Sequence, residues 1–238
     1  MASNQEMRVR SSLPAYKINY RVPDMIKLES SISNDIVTYV NNNIKPLYDQ
    51  EKSGHNWTHI QNVIINIEHL ISENSLSYNK LLNLYLAAIY HDISLTQNGD
   101  RSTHEKDSAN IFRNDNYINS ILNKEDIEEI ADAIYTHRAS SNIKDRSMLG
   151  KILFQADRCY YTDTPIDLFI RSRNTIMTQY FGLSYIEVSI KAIEHLIDKY
   201  GESGYAYKTS YFILNNKDTF KANMINFIHE AKIILGIF

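Results

Sequence analysis

An all-α bundle is the fold class this chain predicts, on three observations. Its 238 residues include only 7 Gly and 4 Pro, well below average usage, which disfavours turn-rich sheet architectures. Trp57, Ile60, Val63, Ile64, Ile67, Leu70 and Ile71 step by three, three, one, three, three and one, the period of an amphipathic helix. The segment Leu81 to Tyr90 is apolar almost throughout and closes on the pair His91-Asp92.

The elements follow in order. Residues 1–23 are polar, contain Pro14 and Pro23, and read as an arm. A helix is expected over 33–43, with Ile36, Val37 and Val40 on its apolar side, ending before Pro46 because proline lacks an amide hydrogen. Core helices are expected at 57–73, 78–92, 104–114, 124–138 and 146–161, parted by polar links such as Glu73-Asn74-Ser75. Ser77 and Asp145 stand where N-caps belong. Thr164-Pro165 then breaks the chain, and helices at 166–181 and 184–200 are stopped by Gly182 and Gly201 before a last helix at 219–235. The expected organisation is an arm and first helix over 1–45, a core over 46–165, and a C-terminal helical extension over 166–238 packed on that core. Those last helices either cover a site or support a homodimer.

Composition narrows the class of partner. A net charge of −3 leaves no basic footprint, so duplex nucleic acid is not indicated. The single cysteine, Cys159, fits a reducing compartment. Residues 1–10 contain no apolar signal core, and no run of about 18 apolar residues would span a membrane. A cytoplasmic protein with no membrane segment is expected.

Five places carry the chemistry. An imidazole beside a carboxylate at the end of a buried stretch is costly to desolvate, and a divalent cation would satisfy His91 and Asp92 together. His59 lies four before Val63 and so shares the buried face of its helix. Asp157 falls four after Leu153 and one after Ala156, where a carboxylate is almost never left unpaired. His137 continues the stripe of Ile127, Ile130, Ala131 and Ile134, and His104 opens the segment after Gly99-Asp100. One histidine on an apolar face is more often a hydrogen-bonded core residue than a ligand; several on separate helices shift that balance. His69, His195 and His229 have no partner pattern and read as surface or boundary positions.

The order His59, His91-Asp92, Asp157 resembles the HD superfamily of metal-dependent phosphohydrolases. His59-Ile60-Gln61-Asn62-Val63 is similar to the family's H-x-x-R-V opening, with Asn62 in place of arginine, and Ala87-Ala88-Ile89-Tyr90-His91-Asp92-Ile93 to its A-A-x-x-H-D-I signature. Ala133-Ile134-Tyr135-Thr136-His137 resembles A-I-x-x-H, and Leu153-Phe154-Gln155-Ala156-Asp157-Arg158 resembles L-x-x-A-D-R. The likeness covers roughly residues 50–165 and implies an HD-domain helical bundle with extra C-terminal helices. It implies His59, His91, Asp92 and Asp157 as metal ligands. Family members with two metals carry two further histidines between the HD pair and the last aspartate. That order implies His104 and His137 on a second ion, with His137 alternatively a phosphate contact. Asp92 suits a bridging role, since a carboxylate has two oxygens and each imidazole offers one nitrogen to one ion. Asp92, His104 and His137 are thus the expected catalytic set. With no thiolate among the ligands, one or two ions of Mn, Fe, Co, Ni, Zn or Mg are implied.

Lys106 and Arg138 are the expected substrate-binding cations, with His55 behind the ligands, on phosphate, or capping a helix. Arg101 and Arg158 lie close in sequence too, but helix neighbours point about 100° apart, and Arg158 has a competing reading as partner for an acid such as Asp163. Together these imply hydrolysis of a phosphate ester or anhydride in a small phosphorylated metabolite, a nucleotide above all. The alternative is a catalytically silent, nucleotide-sensing HD-like binding protein, and a narrower one is oxygen chemistry at two irons. If a nucleobase is read, tyrosines of the second half such as Tyr180, Tyr185 and Tyr205 are where stacking is expected.

Overall fold

Helix follows helix, and no strand is present among the described residues. The computed structural model describes residues 27–71, 76–97, 99–140, 143–158, 162–212 and 216–237; the expected arm over 1–23, and Cys159, lie outside them. Contacts divide the chain into two units, one from the described parts of 21–51 and 55–162 and one from 52–54 with those of 163–238.

The first unit holds α1 (Asn34–Tyr39), α2 (Lys45–Asp49), α3 (Trp57–Ile71), α4 (Tyr78–Tyr90), α5 (His104–Arg113), α6 (Asn116–Ile121), α7 (Lys124–Thr136) and α8 (Met148–Ala156). Its axis is α4. Every residue from Leu81 to Tyr90 is buried, and α3, α5, α7 and α8 all pack against this helix. A helix apolar on all sides is stable only in such a surround. Each fully buried Leu or Ile there contributes roughly 1.5–3 kcal/mol over exposure.

Three local expectations are corrected. The first helix does not stop before Pro46: a π-helical turn, Val40–Ile44, joins α1 to α2, with the Lys45 amide donating to Val40 O. The wider turn relieves the clash between the proline ring and the carbonyl four residues back. The link after α5 is itself helical. Asp115 caps α6 through Ile118 N, 3.0 Å away, and only Ile118 of α6 is buried, too little for a periodic signal. The cap of α8 is Ser147, whose hydroxyl accepts from Gly150 N, not Asp145.

The second unit holds α9 (Pro165–Gln179), α10 (Tyr185–Tyr200) and α11 (Lys217–Leu235). Thr164 with Asp167 and Ser184 with Glu187 form capping boxes that start α9 and α10. Phe169 packs on Phe227 and Tyr200 on Phe220, with ring centroids 5.9 and 5.7 Å apart. Gly236 ends α11 at φ 68°, left-handed backbone that suits glycine. No helix among the described residues is long and apolar enough to cross a membrane.

In the first unit, Gly99 permits a close backbone approach. The loop from the 3-10 turn Ile93–Gln97 into α5 folds back so tightly that a Cβ on Gly99 would sit 2.5 Å from Ser94 O. Gly99→Ala should therefore cost about 1–3 kcal/mol, read as a lower midpoint in urea unfolding at an unchanged slope. An unaltered midpoint would show that the loop yields freely.

Candidate metal centre

Three helices end where the chemistry begins. Rather than running through the acidic and imidazole residues as their periodicity suggests, α4, α7 and α8 stop at them: His91, His137 and Asp157 are the C-caps. Each C-terminus carries roughly half a unit of negative partial charge, so the arrangement draws a cation. His59 arrives on the first turn of α3, its amide donating to Asn56 Oδ1 at 3.3 Å, and His104 is the first residue of α5.

Each helix end is tied by a buried side chain from elsewhere. Tyr48 donates its hydroxyl to Ile89 O (2.7 Å), two residues before His91. Asn66 donates to Ala156 O (2.9 Å) beside Asp157, and Arg146 Nε to Thr136 O (2.7 Å) beside His137. These bonds satisfy carbonyls that a helix terminus leaves open, and they fix where each cap residue points. The 3-10 turn is tied to α5 through Ser94 and Ser108: Ser94 N donates to Ser108 Oγ, and Ser94 Oγ to His104 O, both at 3.1 Å. None of these five residues stands out in the sequence, because a polar side chain within an apolar stripe signals its partner only once the fold is known.

The six expected ligands converge. Asp92 is buried, and its two oxygens face different histidines. Oδ2 lies 3.1 Å from His91 Nε2 and 3.3 Å from His59 Nε2. Oδ1 lies 3.4 Å from His104 Nε2 and 3.7 Å from His137 Nε2. Asp157 Oδ1 completes the first group, 3.3 Å from His59 Nε2 and 3.7 Å from His91 Nε2. Donor triples His59–His91–Asp157, His91–Asp92–His137 and His55–His59–Asp92 each fall within 4.8 Å, close enough to hold one ion.

Hydrogen bonding decides which nitrogen is available. The Nδ1 atoms of His91, His104 and His137 lie 2.8, 2.9 and 2.6 Å from the carbonyls of Ala88, Arg101 and Ile134. A carbonyl only accepts, so Nδ1 carries the proton and Nε2 presents its lone pair inward. His104 Nε2 and His137 Nε2 stand 3.3 Å apart, and His59 Nε2 and His91 Nε2 3.2 Å apart. For His104 and His137, whose Nδ1 atoms both hold the proton, facing lone pairs at that distance repel unless a proton or cation lies between them. Asp92 Oδ1 is buried with no hydrogen-bond partner. The donor set therefore fits a divalent cation of borderline hardness.

Electrostatics agree. Burial alone would lift both carboxyls, yet His91 and His55 hold Asp92 well below the usual carboxylate range, and His59 and His91 do the same for Asp157. Burial pulls His91 down, but Asp92 and Asp157 outweigh it and raise it to about 10. Burial lowers His104 against the pull of Asp92. His55 is taken to about 3 by burial, which Asp92 opposes and Arg101 reinforces.

The expected substrate contacts are placed less centrally. Lys106 is exposed on α5. Arg138 is half-buried, donating to Ser102 O at 2.9 Å and reaching the Glu105 carboxylate at 3.4 Å. Arg158 is buried with its guanidinium 3.3 Å from the centroid of the Phe154 ring. His55 touches Asp92 Oδ2 at 2.6 Å through Nδ1 and is contacted on Nε2 by Arg101 Nη2.

Because His91 holds a second proton below about pH 10 in the empty cluster, a metal must expel it to reach Nε2. Affinity should then rise about tenfold per pH unit between pH 7 and 9, and uptake should release protons. Calorimetric titration with Mn²⁺ in buffers of differing ionisation enthalpy measures both; pH-independent affinity would contradict the assignment of His91.

No curated protein and no solved structure matches the chain. A family model does: that of the HD domain, over residues 57–162. His59, His91, Asp92, His104, His137 and Asp157 all lie inside this span, and this part of the chain carries an HD domain.

Proposed function

We propose that the chain is a metal-dependent phosphohydrolase that cleaves a phosphate ester or anhydride in a small phosphorylated metabolite, a nucleotide above all, in the cytoplasm. The observation that carries this reading is the division of Asp92, one oxygen toward His59 and His91 and the other toward His104 and His137. A carboxylate so placed can bridge two ions, the first held also by Asp157. Ions bound there would lower the pKa of a water and neutralise charge on the phosphoryl oxygens.

The chain's own residues have complementary parts in this scheme. Nδ1–H bonds to backbone carbonyls keep the imidazoles aimed before any ligand arrives, so little reorganisation is needed on binding. Arg138, half-buried beside Glu105, is the cation suited to bind two phosphate oxygens through its guanidinium fork. Lys106 adds an exposed, mobile charge. The nucleotide assignment draws on the likeness to HD enzymes that act on nucleotides.

The test is phosphate release from a panel of phosphorylated metabolites with Mn²⁺, Co²⁺, Ni²⁺, Zn²⁺ and Mg²⁺ supplied in turn. Turnover should appear with at least one pairing and vanish on chelation. Stoichiometric metal with no turnover across the panel would return the nucleotide-sensing alternative. Replacing His59 or Asp157 by Ala should abolish metal binding at the first position. His104→Ala and His137→Ala should each halve metal content, by elemental analysis; full metal content with weaker substrate affinity would make those two histidines phosphate contacts instead.

A further inference from the structure

His55 meets the distance criterion for a metal ligand, its donor atom falling within 4.8 Å of those of His59 and Asp92. Its hydrogen bonding contradicts that role. Arg101 Nη2 contacts His55 Nε2, and a guanidinium only donates. His55 Nε2 must therefore accept, the ring proton must sit on Nδ1, and Nδ1 is the atom 2.6 Å from Asp92 Oδ2. A protonated nitrogen cannot ligate a cation. What it can do is hold one lone pair of Oδ2 and thereby fix the rotation of the carboxylate.

Arg101 touches the other half of the cluster as well. Its carbonyl accepts from His104 Nδ1 at 2.9 Å, so one residue orients His104 through its backbone and Asp92, by way of His55, through its side chain. We propose that Arg101 and His55 are a positioning pair that sets Asp92 to bridge two ions, and so couples occupancy of the second position to the first. This rests on the two-ion reading above. The second position suffers most if the carboxylate turns, because it has three protein donors (Asp92 Oδ1, His104 and His137) against four at the first (His59, His91, Asp92 Oδ2 and Asp157).

The experiment is Mn²⁺ titration of the full chain, followed by calorimetry and by electron paramagnetic resonance, which distinguishes isolated Mn²⁺ from a spin-coupled pair. The variants are His55→Phe and Arg101→Leu, which delete the link, and His55→Asn and Arg101→Lys, which keep a donor near the lost one. The natural chain should bind two ions and give the coupled signal. His55→Phe and Arg101→Leu should lose that signal and weaken the second ion ten- to hundredfold, the range for groups that orient ligands, with the first ion changed less than threefold. His55→Asn should restore the coupled signal, since its amide can donate to Asp92 Oδ2, and Arg101→Lys should restore part of it. Retention of the coupled signal in the Phe and Leu variants would overturn the proposal, as would equal loss in all four, which marks a merely structural role. If the natural chain itself binds only one ion, the two-ion reading fails and the positioning proposal with it.

Discussion

A buried carboxylate shared among imidazole lone pairs is the constraint on which the first unit depends. Asp92 lies at the end of a helix that is apolar on every side, where an ionised group has little reason to be. Its neighbours answer part of the cost. His55 hydrogen-bonds one oxygen and His91 supplies opposing charge. The Oδ1 atom has no hydrogen bond, and the inward nitrogens of His104 and His137 face each other across 3.3 Å. A cation held there would satisfy these atoms, and its binding would then add to the stability of this unit.

The helix ends bear on the same cluster. Three helix C-termini converge, and negative partial charge from each adds to that of Asp92 and Asp157. Tyr48 on α2, Asn66 on α3 and Arg146 in the link before α8 give the last turns their hydrogen bonds. A change in any of these three side chains alters where a ligand points without touching the ligand. Chemistry and packing are thus not separable here: the residues that finish the helices also aim the donors.

The histidines differ in what their second nitrogen does, and this sorts their roles. Where Nδ1 donates to a carbonyl, as in His91, His104 and His137, Nε2 is the nitrogen that faces the cluster. Where Nε2 accepts from Arg101, as in His55, the ring can only donate toward the cluster. Proximity alone treats all of these alike. The partner of the remote nitrogen tells them apart.

Much of this was legible in the sequence. Period-3.6 spacing marked the helices and put His59, His137 and Asp157 on their inner faces, and the apolar run before His91-Asp92 marked the central one. Such signals are local, because one face of a helix must be apolar to be buried. The same periodicity extended α4, α7 and α8 past their true ends, since apolar spacing does not register where a backbone carbonyl finds a side-chain donor. It ended α1 at Pro46 because a π turn that accommodates the ring has no apolar signature. It left His55 undecided between three roles because Arg101 lies 46 residues away. Sequence alone determined which residue types face inward and in what order; only the tertiary structure decided which atoms meet, because hydrogen-bond partners 41 residues apart for Tyr48 and Ile89, and 90 for Asn66 and Ala156, are set by packing and not by spacing.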